Sequence, residues 1–300
     1  MKLLVLGGNG YIGTRFCSKF KSTIVDLNLF GGIHEGIKED YRNLDSKFLS
    51  GYDVIILLAA ESSVSLAKIN ILNTVKNNVC GLLDLLDKCQ RRTKIIYASS
   101  ASVYGKSLGL SKESDILCHP LDVYDMTKLD MDKYSYFYKN NDITSVRFGT
   151  VSGFSENLRL DLVINSMFFS AKNEKRVIVS SPKTNRGILF IDDLVEVLGV
   201  MSNTMPFSVG RKIFNLCSYN STVDDLAKEV VKFFMSKYGV TIPIEYESTN
   251  SSLYDFELDC TKLNTYLGGF LKNKSGVGTA TICDNLDNNI NNIKIMGTRK

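Results

Sequence analysis

Tryptophan is absent from the 300-residue chain, proline occurs four times and histidine twice. The two histidines, His34 and His119, lie too far apart to form a local metal pair, and no metal site is expected. Seven cysteines are present, an odd number, and none belongs to a C-x-x-C pair. The usual zinc and redox-dithiol signatures are therefore missing, and scattered single thiols read as reduced ones in a cytoplasmic protein. No apolar run reaches the roughly 20 residues of a membrane-spanning helix. The opening MKLLVLGGNG is apolar for too few residues to be a secretory signal and reads as a buried strand. The net charge of +4 is spread along the chain without a long basic block. That leaves no electrostatic case for nucleic acid or an anionic membrane surface as partner.

What is present is ordinary for a globular protein: 44% hydrophobic and 23% charged residues. The length suits one large or two small domains and buries a full core without staples. Residues 2–6 form a short apolar run of the kind found in buried parallel strands. Gly7-Gly8-Asn9-Gly10-Tyr11-Ile12-Gly13 follows, and residues 14–20 read as a helix. Strand, glycine turn and helix in that order form the context of a dinucleotide fingerprint, here spaced G-x-x-G-x-x-G. Gly7 permits the tight turn, Gly10 lets backbone approach a pyrophosphate, and Gly13 lets the helix pack on the strand. The helix N-terminus then presents N–H groups and its positive dipole end to phosphate.

A second strand, residues 22–26, ends in Asp26, about twenty residues after the first glycine, where a carboxylate accepts from the adenosine ribose hydroxyls. No lysine or arginine occurs in residues 25–35, so a 2′-phosphate would be repelled without compensation, which favours NAD over NADP. Strands are also expected at 53–60, 94–98 and 144–148, with helices at 69–88 and 121–140. The alternation implies an α/β protein with a doubly wound, Rossmann-type parallel sheet. Small residues at a strand end (Leu58-Ala59-Ala60) and serines at another (Ser99-Ser100) would face a ligand in the crevice above the sheet. The second half is less regular. Helices are expected at 158–173, 192–201, 222–238 and 280–293, and β runs at 176–180, 187–191 and 212–217.

Tyr124 and Lys128 stand four apart in an expected helix, hence on one face and one turn from each other. A nearby ammonium favours phenolate, and a phenol poised that way exchanges a proton with a sugar hydroxyl.

Together these motifs resemble the extended short-chain dehydrogenase/reductases, specifically the NAD-dependent nucleotide-sugar epimerases and dehydratases, over residues 1–265. Gly7-x-x-Gly10-x-x-Gly13 resembles the cofactor loop, Leu58-Ala59-Ala60 the end of H-L-A-A, and Asn78-Val79-Cys80-Gly81 the N-V-x-G motif. Ser99-Ser100-Ala101-Ser102-Val103-Tyr104-Gly105 resembles S-S-x-x-V-Y-G, and Asn43-Leu44 falls where the family has an acid–aliphatic pair beside the adenine. The resemblance implies a Rossmann NAD-binding domain over 1–150. A smaller, mainly substrate-binding α/β domain would span 151–300, with a part near 185–215 returning to the Rossmann side. It implies cofactor contacts from Gly7, Gly10, Tyr11, Ile12, Gly13, Asp26, Asn43, Leu44, Leu58, Ala59, Ala60, Asn78, Ser99, Tyr124 and Lys128. Tyr124 would be the general base, Lys128 would hold the nicotinamide ribose and depress the phenol pKa, and Ser100 would bond the reacting oxygen. The substrate would be a nucleotide-diphosphate sugar, contacted by Ser100, Thr150 and Arg186, and the protein a homodimer joined through the 69–88 and 121–140 helices.

Two departures narrow this expectation. Dehydratases of the family carry an Asp-Glu acid pair where this chain has Ala101 and Ser102, neither of which is an acid near neutral pH. That argues against elimination of water and for epimerisation, most simply at C4, or for a dehydrogenase or 4-ketoreductase on the same site. A non-catalytic NAD-binding protein is the remaining reading, and Ser100, Tyr124 and Lys128 weigh against it. The second departure concerns the phosphates. Arg186 resembles the first of two arginines that clamp the diphosphate, but no arginine occurs between Lys212 and Thr298, and Tyr254 stands near the place of the second.

Overall fold

The computed structural model describes residues 1–89, 92–115, 118–139, 141–203, 207–247, 254–270 and 276–297. Five strands open the chain in order: β1 (Leu3–Leu6), β2 (Thr23–Asp26), β3 (Ile37–Lys38), β4 (Val54–Leu57) and β5 (Lys94–Ser100). A short β6 (Lys106–Ser111) precedes β7 (Asp142–Phe148). The second half adds β8 (Thr150–Ser152), β9 (Asn157–Arg159), β10 (Val177–Ser180), β11 (Asn185–Phe190) and β12 (Gly210–Leu216). Last come β13 (Tyr219–Thr222), β14 (Ile244–Glu247), β15 (Asp255–Leu258) and β16 (Ile295–Gly297).

Seven of these form one parallel sheet in the order β12-β7-β5-β4-β1-β2-β3. The chain winds outward from β1 in one direction and then, from β4, in the other. The switch point lies between β1 and β4, and a crevice opens above their carboxyl ends. All four residues of β1 are buried, and they alternate between faces. Leu3 and Val5 pack into a core shared with the second half of the chain, reaching Phe168, Phe234 and Leu286. Leu4 and Leu6 pack into a core with Leu82, Leu85 and Tyr97. The helix Ile191–Asn203 packs back on the first half of the chain, where Asp192 meets Arg15 at 2.7 Å and Gly199 leaves room for Phe20.

Several elements differ from the sequence expectation for identifiable reasons. The single helix expected at 69–88 is broken into Val64–Ile69, Ile71–Val75, a widened π turn at Lys76–Cys80, and Gly81–Lys88. The Asn70 side chain caps a new start at Ile71, and the Tyr41 hydroxyl donates to the Asn77 carbonyl at 2.6 Å within the widened turn. Gly81 is required there: a Cβ would lie 2.0 Å from the Tyr41 hydroxyl. The helix expected at 121–140 spans Val123–Tyr134, because Asp122 is its N-cap, and a 3₁₀ turn covers Ser135–Phe137. Asn140 lies outside the described residues. The helix expected at 158–173 spans Val163–Glu174, since residues 157–159 instead form β9, paired with the C-terminal strand β16. The helix expected at 280–293 spans Thr279–Asn288, with a 3₁₀ turn after it.

One buried carboxylate joins the Val123–Tyr134 helix to the sheet. Asp132 accepts hydrogen bonds from Tyr97 Oη (2.9 Å), Ser99 Oγ (3.2 Å), Ser145 Oγ (2.5 Å) and Arg147 Nε (2.8 Å). Arg147 in turn donates to Tyr104, which donates to Asn215. Burying a charge is tolerable only with partners of this quality. Asp132→Ala leaves the Arg147 guanidinium buried without its anion. It should cost about 3–5 kcal/mol, read as a lowered midpoint of urea unfolding at unchanged slope.

Candidate active site

The crevice at the switch point is a cavity of about 770 Å³. One wall is the glycine turn with Asp26 and the β4 end Leu58-Ala59-Ala60; the other holds Ser100, Tyr124 and Lys128; Thr150, Arg159 and Arg186 come from the second half. Gly7 has φ +88°, and a Cβ on it would fall 2.5 Å from the Ala59 nitrogen. A Cβ on Gly13 would fall 2.2 Å from the Gly7 carbonyl oxygen. Gly10 differs: its Cβ would meet nothing of the protein nearer than 3.4 Å, while the residue lines the cavity. The first two glycines are thus required by the fold, and the third keeps the floor of the cavity bare. Beyond Gly10 begins the helix Tyr11–Lys19, whose first-turn N–H groups have no carbonyl within the helix to bond. The arrangement fits the pyrophosphate of a dinucleotide.

Asp26 is fixed by two backbone donors, Asn9 N–H to Oδ2 (2.9 Å) and Asn28 N–H to Oδ1 (2.7 Å), and it lines the cavity. Asn43 and Leu44 do not. Asp40 caps a 3₁₀ turn at Tyr41–Asn43, which carries the chain away from the cavity. Asn43 ends on the surface bonded to Glu39, and Leu44 is buried in the core. Glu39, Asp40 and Tyr41 line the cavity in their place. The Arg42 guanidinium holds the Asp40 carboxyl below the usual range. Asn78 is also not part of the lining. Buried, it bonds the Glu61 N–H and carbonyl and the Thr127 hydroxyl, which ties the segment after β4 to the Val123–Tyr134 helix. Ser99 borders the cavity, but its hydroxyl is turned to Asp132.

Ser100 ends β5, and its Oγ accepts from Ser102 N–H (3.2 Å) and pairs with Ser102 Oγ (2.8 Å). Tyr124 and Lys128 are one helical turn apart as expected. Lys128, 2% exposed, donates to the Ala98 carbonyl at 2.7 Å, with its Nζ 5.8 Å from the Tyr124 ring centre. Burial pulls the lysine down to about 8, with the Asp132 charge opposing. The phenol departs from the sequence expectation: burial raises the Tyr124 pKa, and this outweighs the opposing hydrogen bond from Ser100 and the Arg159 charge. The lysine ammonium faces a carbonyl rather than the phenol oxygen, which is why it does not lower the phenol here.

On the substrate side Thr150 and Arg186 both line the cavity. Arg186 donates to the carbonyls of Asn185 (2.8 Å) and Tyr254, and its guanidinium lies over Phe256. Arg159 is held by Asp161 through two hydrogen bonds of 3.0 and 2.5 Å. The sequence pattern contained Arg159 and Asp161 without a role for either; their place at the cavity depends on β9 pairing with β16, which no local periodicity encodes. Tyr254 and Phe256 also reach the cavity. Among the described residues, no cluster of three His, Cys, Asp or Glu side chains could hold a metal ion, and no helix is long and apolar enough to cross a membrane.

A family model described as the NAD dependent epimerase/dehydratase family matches residues 3–217. An uncharacterized UDP-glucose epimerase, YtcB, of Bacillus subtilis (strain 168) is 28% identical over 226 residues, covering 65% of this chain and 71% of that protein. Two solved structures share the fold. The NAD-dependent NDP-hexosamine 5,6-dehydratase TunA, of tunicamycin biosynthesis, has a TM-score of 0.80 at 20% identity, covering 95% of this chain and 96% of its own. The UDP-glucuronic acid 4-epimerase of Bacillus cereus, in complex with UDP-glucuronic acid and NAD, has a TM-score of 0.78 at 22% identity, covering 97% and 99%.

The glycine geometry separates binding from folding. Gly10→Ala should leave stability within about 0.5 kcal/mol yet weaken NAD binding roughly tenfold or more by blocking the pyrophosphate's approach. Gly13→Ala should lower stability as well. Calorimetric titration with NAD and urea unfolding, run on both variants, check the contrast.

Proposed function

The chain belongs to the NAD dependent epimerase/dehydratase family, and from that premise we propose that it is a nucleotide-sugar 4-epimerase acting by transient oxidation to a keto-sugar. It is an enzyme of an NAD-dependent family, and its cofactor is NAD. The observation that carries the finer reading is a pairing of presence and absence. Ser100, Tyr124 and Lys128 converge beside the glycine turn, while Ala101 and Ser102, the next two residues after Ser100, offer no acid to expel a hydroxyl.

In this reading Gly7, Gly10 and Gly13 seat the pyrophosphate, Asp26 holds the adenosine ribose, and Lys128 holds the nicotinamide ribose. NAD, when bound, supplies hydride chemistry at a sugar carbon. Tyr124 takes the hydroxyl proton and later returns it; Ser100 bonds the same oxygen and, with Arg159, favours the phenolate that burial opposes. Thr150 and Arg186 contact the nucleotide-diphosphate sugar. The scattered single cysteines suit a reducing compartment, and we place the enzyme in the cytoplasm.

We further propose a homodimer. Ile69 (79% exposed), Ile71, Leu72 (65%) and Met126 present an apolar surface on the helices bordering the catalytic one and on that helix itself. Leu72→Glu should shift a dimer to monomer in sedimentation velocity. Tyr124→Phe should lower kcat for interconversion of two C4 epimers by about 10²–10⁴-fold while NAD stays bound, as measured by NMR of the sugar anomeric protons. Full activity in this variant would remove the tyrosine from the chemistry.

A further inference from the structure

Tyr254 stands one residue before β15 on the substrate side of the cavity, yet its hydroxyl reaches the catalytic helix. It lies 2.5 Å from Asp122 Oδ2 and 2.9 Å from Asp125 Oδ2. Asp122 is the N-cap of that helix, and Asp125 directly follows Tyr124. Three oxygens therefore meet at one point, and their protons can be counted. A phenol has a single O–H, so it gives a full, linear hydrogen bond to only one of two carboxylates and at best splits a weaker one between them. With both carboxylates ionised, the second contact would set lone pair against lone pair and hold two anions together. Both contacts are full hydrogen bonds only when one carboxyl carries a proton and donates it to the phenol oxygen.

The surroundings identify the carrier. Asp125 is 0% exposed, and its Oδ1 is buried with no hydrogen-bond partner among the described residues. Its Oδ2 accepts from Leu121 N–H at 3.0 Å and still has a direction toward Tyr254. Asp122 is half-buried and uses its other oxygen to accept from Asp125 N–H at 3.1 Å, as an N-cap does. Burial raises the Asp125 pKa, with the nearby Asp122 charge adding to it and the Ser102 hydroxyl opposing. The other charged and titratable groups near the bridge are Arg186 on β11 and Asp255 on β15, with Tyr124 on the helix. Arg159, on β9, and Lys128, one turn along the helix, also lie near Tyr124.

We propose that Asp122, Tyr254 and Asp125 form a one-proton bridge that ties the substrate-side strand to the first turn of the catalytic helix and so positions Tyr124. The bridge is whole while Asp125 is protonated and opens as pH rises through its folded midpoint. That is the sign expected for a carboxyl raised above its unfolded value. Tyr254 occupies the region where an arginine was expected; the bridge puts a phenol there to serve the helix instead of a phosphate. The effect on turnover rests on Tyr124 being the reacting phenol, but the bridge itself does not.

Carboxyl ¹³C NMR on the full chain, labelled at aspartate, reads the bridge without turnover. One carboxyl should titrate above the ordinary aspartate range and vanish from the spectrum of Asp125→Asn. Two carboxyls ionising together within the ordinary range would overturn the proposal. In turnover, wild-type kcat should fall as pH rises through that midpoint. Asp125→Asn, which carries no ionisable carboxyl, should extend the plateau of kcat to higher pH. Tyr254→Phe should lower kcat roughly tenfold or more through misplacement of Tyr124, with KM little changed. An Asp125→Asn profile identical to wild type, or an undiminished Tyr254→Phe, would also overturn it. If no nucleotide sugar is turned over, the functional reading fails while the NMR titration still decides the bridge.

Discussion

The Asp132 carboxylate accepts hydrogen bonds from four side chains on two neighbouring strands, Tyr97 and Ser99 of β5 and Ser145 and Arg147 of β7. Those strands are the second and third from the β12 edge of the sheet, and the carboxylate is carried by the Val123–Tyr134 helix. Positions four apart stack on one helical face. With Asp132 pinned, Lys128 one turn back comes under the Ala98 carbonyl, and Tyr124 another turn back comes beside Ser100. The same carboxylate opposes the effect of burial on Lys128. A buried ion pair is weak evidence for stability as such. Here its consequence is geometric, since it leaves the helix one rotational setting against the sheet.

The glycine turn constrains the opposite wall. Gly7 brings the turn against the backbone of Ala59, and Gly13 brings the helix against Gly7, so β1, β4 and the first helix meet with no side chain between them. The cavity lies between these two walls. Its open side is supplied by the second half of the chain, where β11 brings Arg186 and β8 begins at Thr150. Both cations on that side have protein partners already: Arg159 has Asp161, and Arg186 has the carbonyls of Asn185 and Tyr254. A diphosphate would therefore meet arginines that are oriented before it arrives, which lowers the ordering cost of binding.

Features set by local chemistry were legible in the sequence. Continuous apolar runs marked β1 and β4, the glycine spacing marked the turn, and the four-residue interval placed Tyr124 above Lys128. Features set by distant partners were not. Residues 157–159 carry no sign that they pair with residues 295–297, and so the strand that delivers Arg159 was read as helix. The π turn takes a hydrogen bond from the Tyr41 hydroxyl, 36 residues earlier in the chain than Asn77. Asn43-Leu44 was placed beside the adenine by analogy of sequence, whereas the Asp40 cap turns the chain three residues sooner and leaves Asp40 and Tyr41 on the cavity. The phenol pKa failed for a related reason. Helical spacing brings the lysine near the tyrosine, but the Ala98 carbonyl decides where the ammonium points.

In the proposed reaction, oxidation and re-reduction occur at one sugar carbon with no elimination between them. The direct test supplies nucleoside-diphosphate hexoses bearing deuterium at C4 to the NAD-loaded enzyme and follows the label by NMR. The C4 epimer should form with deuterium still at C4. Deuterium transferred to another carbon together with loss of water, or deuterium accumulating in free reduced cofactor, would contradict it.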